Sequence, residues 1–322
     1  MTWADRDFMD AVQDLYVPSM GTDVMAPMLY SLIRFVRART VLEVGMGYTT
    51  PFIAKALKDN DDAFRAERSA VVRKSDAYLR DVDAMDASAK TSDGRPEQRG
   101  LSAVYQPKTS RLADRRTEWM FADPAALLRP GYYLEERRSQ LYCIDNIATT
   151  SSSARFVNAK LDQLGLSSFV TDHYADFWSF DVASAVGSDL PFDLIWLDAP
   201  VSVRNAMSLL NGPHWKLLNP NGGLLLIHDM LTHEGGQMLV KEFFKADQQK
   251  RFDEFEFVGL LEPQRIVQNS FVMLRKISGF RADQFERQFT APGEATLEHD
   301  ARELCARGDA VIHSNDRFSA VR

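Results

Sequence analysis

The stretch Arg39-Thr-Val-Leu-Glu-Val-Gly-Met-Gly-Tyr-Thr-Thr-Pro51 sets the organisation of this 322-residue chain. Its first part, Thr40 to Val44, is short, aliphatic and β-branched, a pattern that predicts a buried strand. The residues from Pro51 to Leu57 favour a helix, because proline is tolerated in a first helical turn. Two glycines separate these elements. The sequence therefore predicts a strand, a glycine turn and a helix, the opening unit of an α/β domain.

The turn carries an acidic residue and two glycines, Glu43, Gly45 and Gly47. Glycine lets a backbone approach a ligand without an intervening Cβ, and the helix that follows offers unpaired N–H groups. These features are typical of nucleotide-type ligand sites. The full dinucleotide fingerprint is not met, since Thr50 stands where its third glycine is expected. Glu43 would repel a pyrophosphate and suits a ligand with a positively charged end.

In this combination the stretch resembles the class I S-adenosylmethionine (SAM)-dependent methyltransferases. The alternative interpretation is a strand-to-helix turn whose glycines serve packing alone. Two later segments extend the resemblance, Phe192-Asp-Leu-Ile-Trp-Leu-Asp198 and Leu217-Leu-Asn-Pro-Asn-Gly-Gly-Leu-Leu-Leu-Ile-His-Asp229. The resemblance covers about residues 30–60 and 139–278.

The resemblance implies a SAM site at the carboxyl ends of the first four strands. Asp145 ends the second predicted strand, Gln140 to Asp145, where the family's acidic residue accepts both ribose hydroxyls. Asp176 lies beyond the third strand, where an acceptor can bind the adenine amino group, and Phe177 could stack on the ring. The cofactor-binding residues implied in this way are Glu43, Gly45, Gly47, Tyr48, Thr49, Asp145, Asn146, Asp176, Phe177 and Asp198.

Three polar residues that end the fourth and fifth predicted strands are the catalytic candidates: Asp198, His228 and Asp229. Ligands gather at the carboxyl ends of strands in open α/β sheets, so we expect these residues to lie at one edge. His228 is a candidate general base, because an unperturbed imidazole titrates near pH ~6.5. The alternative for His228 is a histidine that only orients a loop.

A metal ion is the second interpretation of the two carboxylates. In catechol-type O-methyltransferases, carboxylates at these strand ends bind a divalent ion such as magnesium, together with an asparagine directly after the second. In this sequence Met230 takes the asparagine position. We therefore expect SAM as the cofactor and no metal site, and magnesium remains the alternative.

Two final strands complete the expected fold. Phe255 to Leu261 and Ser270 to Lys276 are joined by a short polar loop, and such an antiparallel hairpin is a trait of class I methyltransferases that plain dinucleotide domains lack. The predicted fold class is α/β: a Rossmann-like seven-stranded sheet in the order 3-2-1-4-5-7-6, with the last strand antiparallel, helices on both faces and an inserted, mainly helical subdomain.

The domain organisation follows from where the pattern is interrupted. Residues 1–38 are predicted to form N-terminal helices, and residues 39–57 with 139–278 the SAM-binding core. The polar segment 58–138 stands where the second strand is expected, and we interpret it as an inserted subdomain or lid. Residues 279–322 form a charged C-terminal extension that could pack across the core or support a homodimer.

Composition limits the class of protein. The formal net charge of −7 argues against a general nucleic-acid binder, which neutralises phosphates with excess lysine and arginine. Two cysteines cannot build a disulfide framework. We expect no signal peptide and no membrane-spanning segment, and a cytoplasmic protein.

The sequence therefore predicts an enzyme that transfers a methyl group from SAM to an oxygen or nitrogen of a small molecule, in specialised metabolism if the large insertion reflects a special substrate. Two alternatives stay open. One is a catalytically silent subunit that binds the cofactor and serves a partner. The other is an NAD-dependent oxidoreductase, which the incomplete glycine fingerprint and the final hairpin disfavour.

Overall fold

A single sheet organises the part of the chain that the structure describes. The computed structural model describes residues 5–89, 128–148, 153–187, 191–202, 204–205, 209, 212–231, 234–248, 255–265, 268, 270–278 and 294–315. The strands are β1 Thr40–Val44, β2 Gln140–Asp145, β3 Val170–Tyr174, β4 Leu194–Leu197, β5 Leu224–His228, β6 Phe255–Leu261 and β7 Ser270–Lys276.

The sheet has seven strands in the order β3-β2-β1-β4-β5-β7-β6, so the predicted fold class is confirmed. Strands β1 to β5 are parallel, and β7 pairs antiparallel with both β5 and β6. β1 lies between β2 and β4, and four of its five residues are buried. The run that predicted a buried strand thus lies inside the sheet, where Val41, Leu42 and Val44 supply the apolar residues that a parallel strand covered on both faces needs, and Glu43 is a buried polar exception.

The helices have the following bounds: α1 Arg6–Val12, α2 Thr22–Val36, α3 Thr49–Ala89, α4 Ala154–Gln163, α5 Val182–Val186, α6 Pro213–Leu217, α7 Glu234–Gln248 and α8 Glu294–Asn315. Short 3₁₀ turns occur at Gln13–Leu15, Pro18–Met20, Pro130–Tyr133 and Ser167–Phe169. Within the described ranges, none of these helices is both long enough and apolar enough to cross a membrane.

The helix after β1 is longer than the sequence interpretation had it. We expected it to end near Leu57, but α3 continues to Ala89. The segment from Phe52 to Ala89 contains neither glycine nor proline, so nothing in it terminates a helix. The predicted helical patch at 63–84 is therefore the continuation of α3. The other predicted patch, 115–128, lies almost entirely outside the described residues.

The chain forms two compact units. One comprises Met1–Asp61 and Arg138–Gln288 and holds the sheet, and the other comprises Asp62–Arg137 and Phe289–Arg322. The second unit has its own apolar cluster, in which the later part of α3 packs with Tyr133 and with Leu297, Ala301 and Leu304 of α8. The C-terminal helix thus packs within the unit that contains residues 62–137.

Alternation along the strands assigns side chains to the two faces of the sheet. Successive residues of a strand point to opposite faces. Val41, Leu141, Trp196 and Leu226 belong to an apolar cluster with α1, α2 and α4. Their neighbours along the strands belong to a separate cluster with α7. The first of these faces is the one on which the candidate site lies.

Candidate functional site

The candidate site is built at the carboxyl ends of β1, β2, β4 and β5. Parallel pairing aligns Glu43 with both Cys143 and Trp196, and Trp196 with Leu226. Two residues further along each strand, on the same face by alternation, stand Gly45, Asp145, Asp198 and His228. The N–H of Gly45 donates to Ile144, and that of Asp198 donates to Val44, so both turns remain fixed to the neighbouring strands.

Asp198 and His228 form a hydrogen-bonded pair. Nδ1 of His228 lies 2.7 Å from Oδ1 of Asp198. The imidazole is almost fully enclosed, while the Asp198 side chain is 19% exposed. An ionised carboxylate can only accept hydrogen bonds, so beside ionised Asp198 the proton of a neutral His228 resides on Nδ1 and the lone pair on Nε2. The two catalytic candidates are therefore brought into direct contact.

The surroundings of His228 favour its protonated form. Burial, the largest single influence, would lower the pKa of the imidazole, but the hydrogen bond and charge of Asp198 act in the opposite direction. The charge of Asp229 and the carbonyl of Gln268 add to it. The pKa of His228 consequently lies above its ordinary value of 6.5. A carboxylate that holds an imidazolium in this way also stabilises it as the product of proton abstraction.

Two ring nitrogens at the site have no hydrogen-bond partner among the described residues. They are Nε2 of His228 and Nε1 of Trp196, both buried. The two rings are neighbours, with centroids 5.6 Å apart. Buried polar atoms normally find a partner, and an exception invites an explanation such as a ligand or an ordered water. The orphaned Nε2 is the atom that a general base would present.

The third catalytic candidate, Asp229, has a different role in the geometry. Its backbone adopts the left-handed conformation (φ 50°), which is uncommon for a residue with a side chain. Its N–H donates to the carbonyl of Ser270 over 2.6 Å. The hydroxyl of the same Ser270 accepts from the N–H of Leu231 over 3.0 Å. Ser270 thus fixes the turn that directly follows His228.

Asp145 is anchored to the glycine turn. Its Oδ2 accepts a hydrogen bond of 2.8 Å from the N–H of Met46, and the residue is 8% exposed. The Oγ of Ser153 donates to the carbonyl of Met46 over 3.0 Å. Both backbone polar groups of Met46 are therefore hydrogen-bonded, its N–H to the end of β2 and its carbonyl to Ser153, and these two bonds fix the turn between β1 and α3. The predicted ribose acceptor lies beside the predicted glycine turn, although 99 residues separate it from Met46 in sequence.

Glu43 lies behind the turn and is fully buried. Its Oε1 accepts from Oγ1 of Thr49 over 2.5 Å, and its Oε2 from Sγ of Cys143 over 3.5 Å. Burial raises the pKa of Glu43 to about 7, against the lowering effect of the hydrogen bonds from Thr49, Thr50 and Cys143. The carboxyl group links β1 to the first turn of α3 and to β2. The geometry gives no support to the expectation that it meets a charged ligand directly.

Gly45 has a conformational reason to be glycine. Its φ is +94°, and a Cβ would lie 2.3 Å from the carbonyl oxygen of Asp198. Gly47 is less constrained, since its Cβ would come 3.1 Å from Oγ of Ser153. The tight contact of Gly45 is with β4 and not with open space for a ligand. Packing therefore accounts for this glycine whatever the site binds.

The remaining cofactor candidates fall into exposed and buried positions. Asn146 is exposed, and its Oδ1 accepts from the N–H of Ala148. Asp176 is exposed, and its side chain accepts from the hydroxyl of Ser179 over 3.2 Å. Phe177 is only 4% exposed and packs against Trp178 and His214. An adenine could stack on Phe177 only if these side chains moved, so the structure favours a packing role for it.

The N-terminal segment reaches the site through Tyr48. The Tyr48 ring contacts those of Tyr16 and Phe52, with centroids 5.4 and 5.1 Å away. Burial raises the pKa of Tyr48, and the nearby charge of Asp23 adds to the effect. Both guanidinium Nη atoms of Arg265 lie 2.7 Å from the Asp23 carboxylate. This bidentate pair joins the start of α2 to the loop between β6 and β7.

A second contact between the same two segments involves Gly21 and Gln268. Gly21 has a φ of +65°, and a Cβ there would lie 2.1 Å from the carbonyl oxygen of Gln268. Gln268 itself has a positive φ of 55°. This contact joins the N-terminal segment to the loop that leads into Ser270, which holds the turn after His228.

Among the residues that the structure describes, no metal-binding cluster accompanies these carboxylates. Within the described parts of the chain, no three or more His, Cys, Asp or Glu residues are grouped so that they could hold an ion. Oδ1 of Asp198 is occupied by His228, and Met230, at the asparagine position of the catechol-type site, is buried. Asp198 and His228 therefore form a hydrogen-bonded carboxylate–histidine pair.

Four residues of the site escaped the sequence interpretation: Trp196, Ser153, Gln268 and Ser270. Trp196 lies in the segment quoted above for the fourth strand. Its indole carries an N–H group, and its position two residues before Asp198 places it on the same face of the strand, so the sequence could have indicated it. The other three act through contacts across long sequence separations. No local pattern announces such contacts.

Comparisons with known proteins identify no close relative. Neither a protein-family model nor a curated protein matches the sequence. Several solved structures are similar to it at low sequence identity. TomG, an O-methyltransferase from Streptomyces achromogenes in complex with SAM, is 15% identical, with a TM-score of 0.45 over 86% of this chain and 92% of that one.

Two further structures give similar values. An O-methyltransferase from Bacillus cereus, in complex with SAH, is 11% identical, with a TM-score of 0.45 over 85% of this chain and 97% of that one. The SAH-bound methyltransferase PaMTH1 from Podospora anserina is 10% identical, with a TM-score of 0.44 over 83% of this chain and 88% of that one.

Proposed function

We propose that this protein transfers a methyl group from SAM to an oxygen or nitrogen of a small molecule. The observation that carries the proposal is the Asp198–His228 pair, whose buried Nε2 lacks a partner among the described residues, at the strand edge that also holds the glycine turn. The sheet order with its reversed β7 supports the same conclusion, because a plain dinucleotide domain has no such strand.

The chemistry of the residues at the ends of β1 and β2 fits this cofactor. Asp145 offers a carboxylate, which suits a vicinal diol, and the N–H of Met46 fixes its orientation. The exposed Asn146 follows directly. When bound, SAM supplies an activated methyl group on its sulfonium sulfur. The protein has then to hold the cofactor, align the acceptor and take up a proton.

Proton uptake is the task of His228 in this proposal. Asp198 keeps the proton of the neutral imidazole on Nδ1, so Nε2 can accept the proton of an acceptor hydroxyl or amine. The imidazolium that results lies 2.7 Å from the Asp198 carboxylate, which stabilises it.

Calorimetric titration tests the cofactor. We expect SAM and SAH to bind the purified protein with micromolar affinity and NAD not to bind. Asp145→Ala should abolish this binding, whereas Asp76→Ala, which removes an exposed carboxylate on α3, should leave it unchanged. Binding of NAD alone, or equal binding by Asp145→Ala, would contradict the proposal.

Methyl transfer itself is tested with labelled SAM and a panel of phenols, alcohols and amines. We expect His228→Asn to bind SAH like the parent and to lose transfer by about 10²–10⁴-fold, the usual contribution of a general base. Undiminished transfer by His228→Asn would assign the base elsewhere. Binding of SAM with no transfer to any acceptor class would favour the silent cofactor-binding subunit.

A further inference from the structure

The proposed chemistry leaves the indole of Trp196 without a task. The residue is fully buried in β4, two positions before Asp198, so its side chain stands on the same face of the sheet as Asp198. Its Nε1 has no hydrogen-bond partner among the described residues. An unpaired buried donor costs free energy, which a leucine or phenylalanine at this position would avoid. The N–H group therefore calls for a partner that the described residues do not supply.

The unpartnered nitrogens of Trp196 and His228 are complementary. Nε1 of an indole carries a hydrogen and can only donate. Nε2 of a neutral His228 carries a lone pair, because ionised Asp198 keeps the ring proton on Nδ1. Both nitrogens are buried, and neither is bonded within the described parts of the chain. A partner common to the two has to accept a hydrogen bond from one ring and donate one to the other.

The spacing of the two rings suits a small polar group. Their centroids are 5.6 Å apart, and their planes are inclined by 36°. Two hydrogen bonds that meet at one oxygen span at most about 6 Å. A hydroxyl group donates and accepts through a single atom. The rings are thus close enough for one hydroxyl to satisfy the donor of Trp196 and the lone pair of His228 together.

The number of lone pairs distinguishes a hydroxyl from an amine in this position. A hydroxyl oxygen has two lone pairs, so one can accept the indole N–H while the other remains for a methyl group. A neutral amine has a single lone pair, and none remains for bond formation when the indole N–H occupies it. An ammonium group has no lone pair at all and would leave Nε1 unpaired. The indole N–H of Trp196 therefore favours oxygen.

We infer that Trp196 is a substrate-binding residue, that its indole N–H donates to the atom to be methylated, and that this atom is a hydroxyl oxygen. The inference rests on the proposed methyl transfer and narrows its acceptor from oxygen or nitrogen to oxygen. The O–H proton passes to Nε2 of His228 while an oxygen lone pair forms the bond to the methyl carbon. The electron pair of the broken carbon–sulfur bond stays on sulfur, and the positive charge ends on the imidazolium beside Asp198.

Phenol, used as a hydroxyl probe, provides a test that needs no turnover. ¹⁵N NMR of protein labelled at tryptophan and histidine, with and without SAH, follows the indole N–H of Trp196 and Nε2 of His228. The spectrum of Trp196→Phe identifies the indole signal among those of the five tryptophans. We expect phenol to shift both signals over the same range of concentration, with the indole proton moving downfield.

Toluene is the control for this titration, because it has the same ring and no hydroxyl. It should not reproduce the downfield shift of the indole proton. Signals that phenol leaves unmoved would overturn the inference, and would show that the two nitrogens have a permanent partner such as a trapped water. This result can be obtained with the parent protein alone, so it does not depend on the folding of a variant.

The choice of acceptor provides the second test. With labelled SAM, we expect the parent protein to methylate phenols or alcohols and not the amines of the same shape. Trp196→Phe should reduce transfer to the hydroxyl by about 10- to 100-fold, as for a hydrogen bond to a group that becomes charged. The ratio of oxygen to nitrogen transfer should fall with it. The control is Trp215→Phe, in the apolar cluster on the other face of the sheet, which should keep the rates of the parent.

The outcomes separate this inference from the proposed function. Absence of SAM binding, or of transfer to every acceptor, contradicts the proposed function. Transfer to amines as fast as to hydroxyl compounds, or unchanged rates in Trp196→Phe, contradicts the inference and leaves methyl transfer standing. Circular dichroism, SAH affinity and the titration of His228 should match the parent in Trp196→Phe, which shows that a loss of transfer is not a loss of the fold.

Discussion

At the residue scale, the state of His228 is set by a carboxylate 30 positions earlier in the chain. Asp198 follows β4 and His228 ends β5, and parallel pairing of these strands brings the two side chains within 2.7 Å. The pair has two consequences for the imidazole: the proton of its neutral form is kept on Nδ1, and its pKa is raised. Both consequences can be measured without knowing the acceptor substrate.

Asp198→Asn should lower the pKa of His228, because it removes the largest influence that holds the proton on the ring. An amide can also donate to Nδ1 and thereby move the proton of the neutral ring to Nε2. We expect ¹⁵N NMR of histidine-labelled protein to show both changes. The matched control is Asp193→Asn, which lies just before β4 and has no contact with the imidazole among the described residues. An unchanged His228 titration in Asp198→Asn would contradict the geometry.

Glu43 should make the stability of the protein depend on pH. Its pKa is about 7 in the folded chain against an ordinary value of 4.5, so the folded state binds the proton more tightly than the unfolded state does. The group therefore stabilises the fold fully below about pH 4.5, and this contribution of about 3 kcal/mol is lost as the pH rises through 7.

Glu43→Gln tests this dependence, since glutamine keeps an acceptor for Thr49 but cannot ionise. We expect the free energy of unfolding of the parent protein to fall relative to that of Glu43→Gln between pH 5 and pH 8. Denaturant titrations at several pH values measure the difference. Two parallel curves would show that Glu43 does not change its protonation on folding in this range.

At the element scale, the loop between β6 and β7 is fastened to the start of α2. The bidentate pair of Asp23 and Arg265 forms one contact, and the approach of Gly21 to the Gln268 carbonyl forms the other. The same loop leads into Ser270, which holds the turn after His228. The position of the imidazole thus depends on the junction of two elements that are far apart in sequence.

A comparison of Gly21→Ala with Gly165→Ala separates the energetic cost of a left-handed backbone from the cost of a collision with Gln268. Both glycines have nearly the same left-handed φ, +65° and +63°, but a Cβ at Gly165 meets nothing within 4 Å, whereas one at Gly21 would collide with Gln268. Gly165→Ala should cost about 1 kcal/mol of stability for its backbone conformation alone. Gly21→Ala should cost more and should alter the His228 resonances. Equal losses of stability in the two variants would show that the loop between β6 and β7 can move away from the new Cβ at no energetic cost.

The sequence predicted elements better than it predicted contacts. β1, the glycine turn and the final hairpin were recognisable because strand patterns and turn residues are local. Asp198 and His228 were assigned to one edge because parallel strands end together. The enclosure of Glu43 was not predictable, since it depends on how the turn folds back over it. The length of α3 was misjudged although the absence of glycine and proline was visible.

At the scale of the whole molecule, we expect the chain to divide its tasks between two units. All the candidate site residues lie in the unit formed by Met1–Asp61 and Arg138–Gln288. The second unit, built from Asp62–Arg137 and Phe289–Arg322, holds a small apolar core of its own. In that core the C-terminal helix α8 packs with residues of α3 that precede it by more than 200 positions. Loss of α8 packing should therefore affect this core first.

Leu304→Ala tests whether the cofactor site is energetically independent of the second unit. Leu304 is fully buried in the core of the second unit, so its truncation should cost about 2–5 kcal/mol in the unfolding of that unit. Leu304→Met, which nearly conserves the volume, should cost less than about 1.5 kcal/mol. We expect SAH affinity, measured by calorimetry at a temperature where both variants are folded, to stay unchanged, because no candidate cofactor residue lies in this unit. A loss of affinity that follows the loss of stability would instead show that the cofactor site depends energetically on the second unit, and the separation of tasks would be refuted.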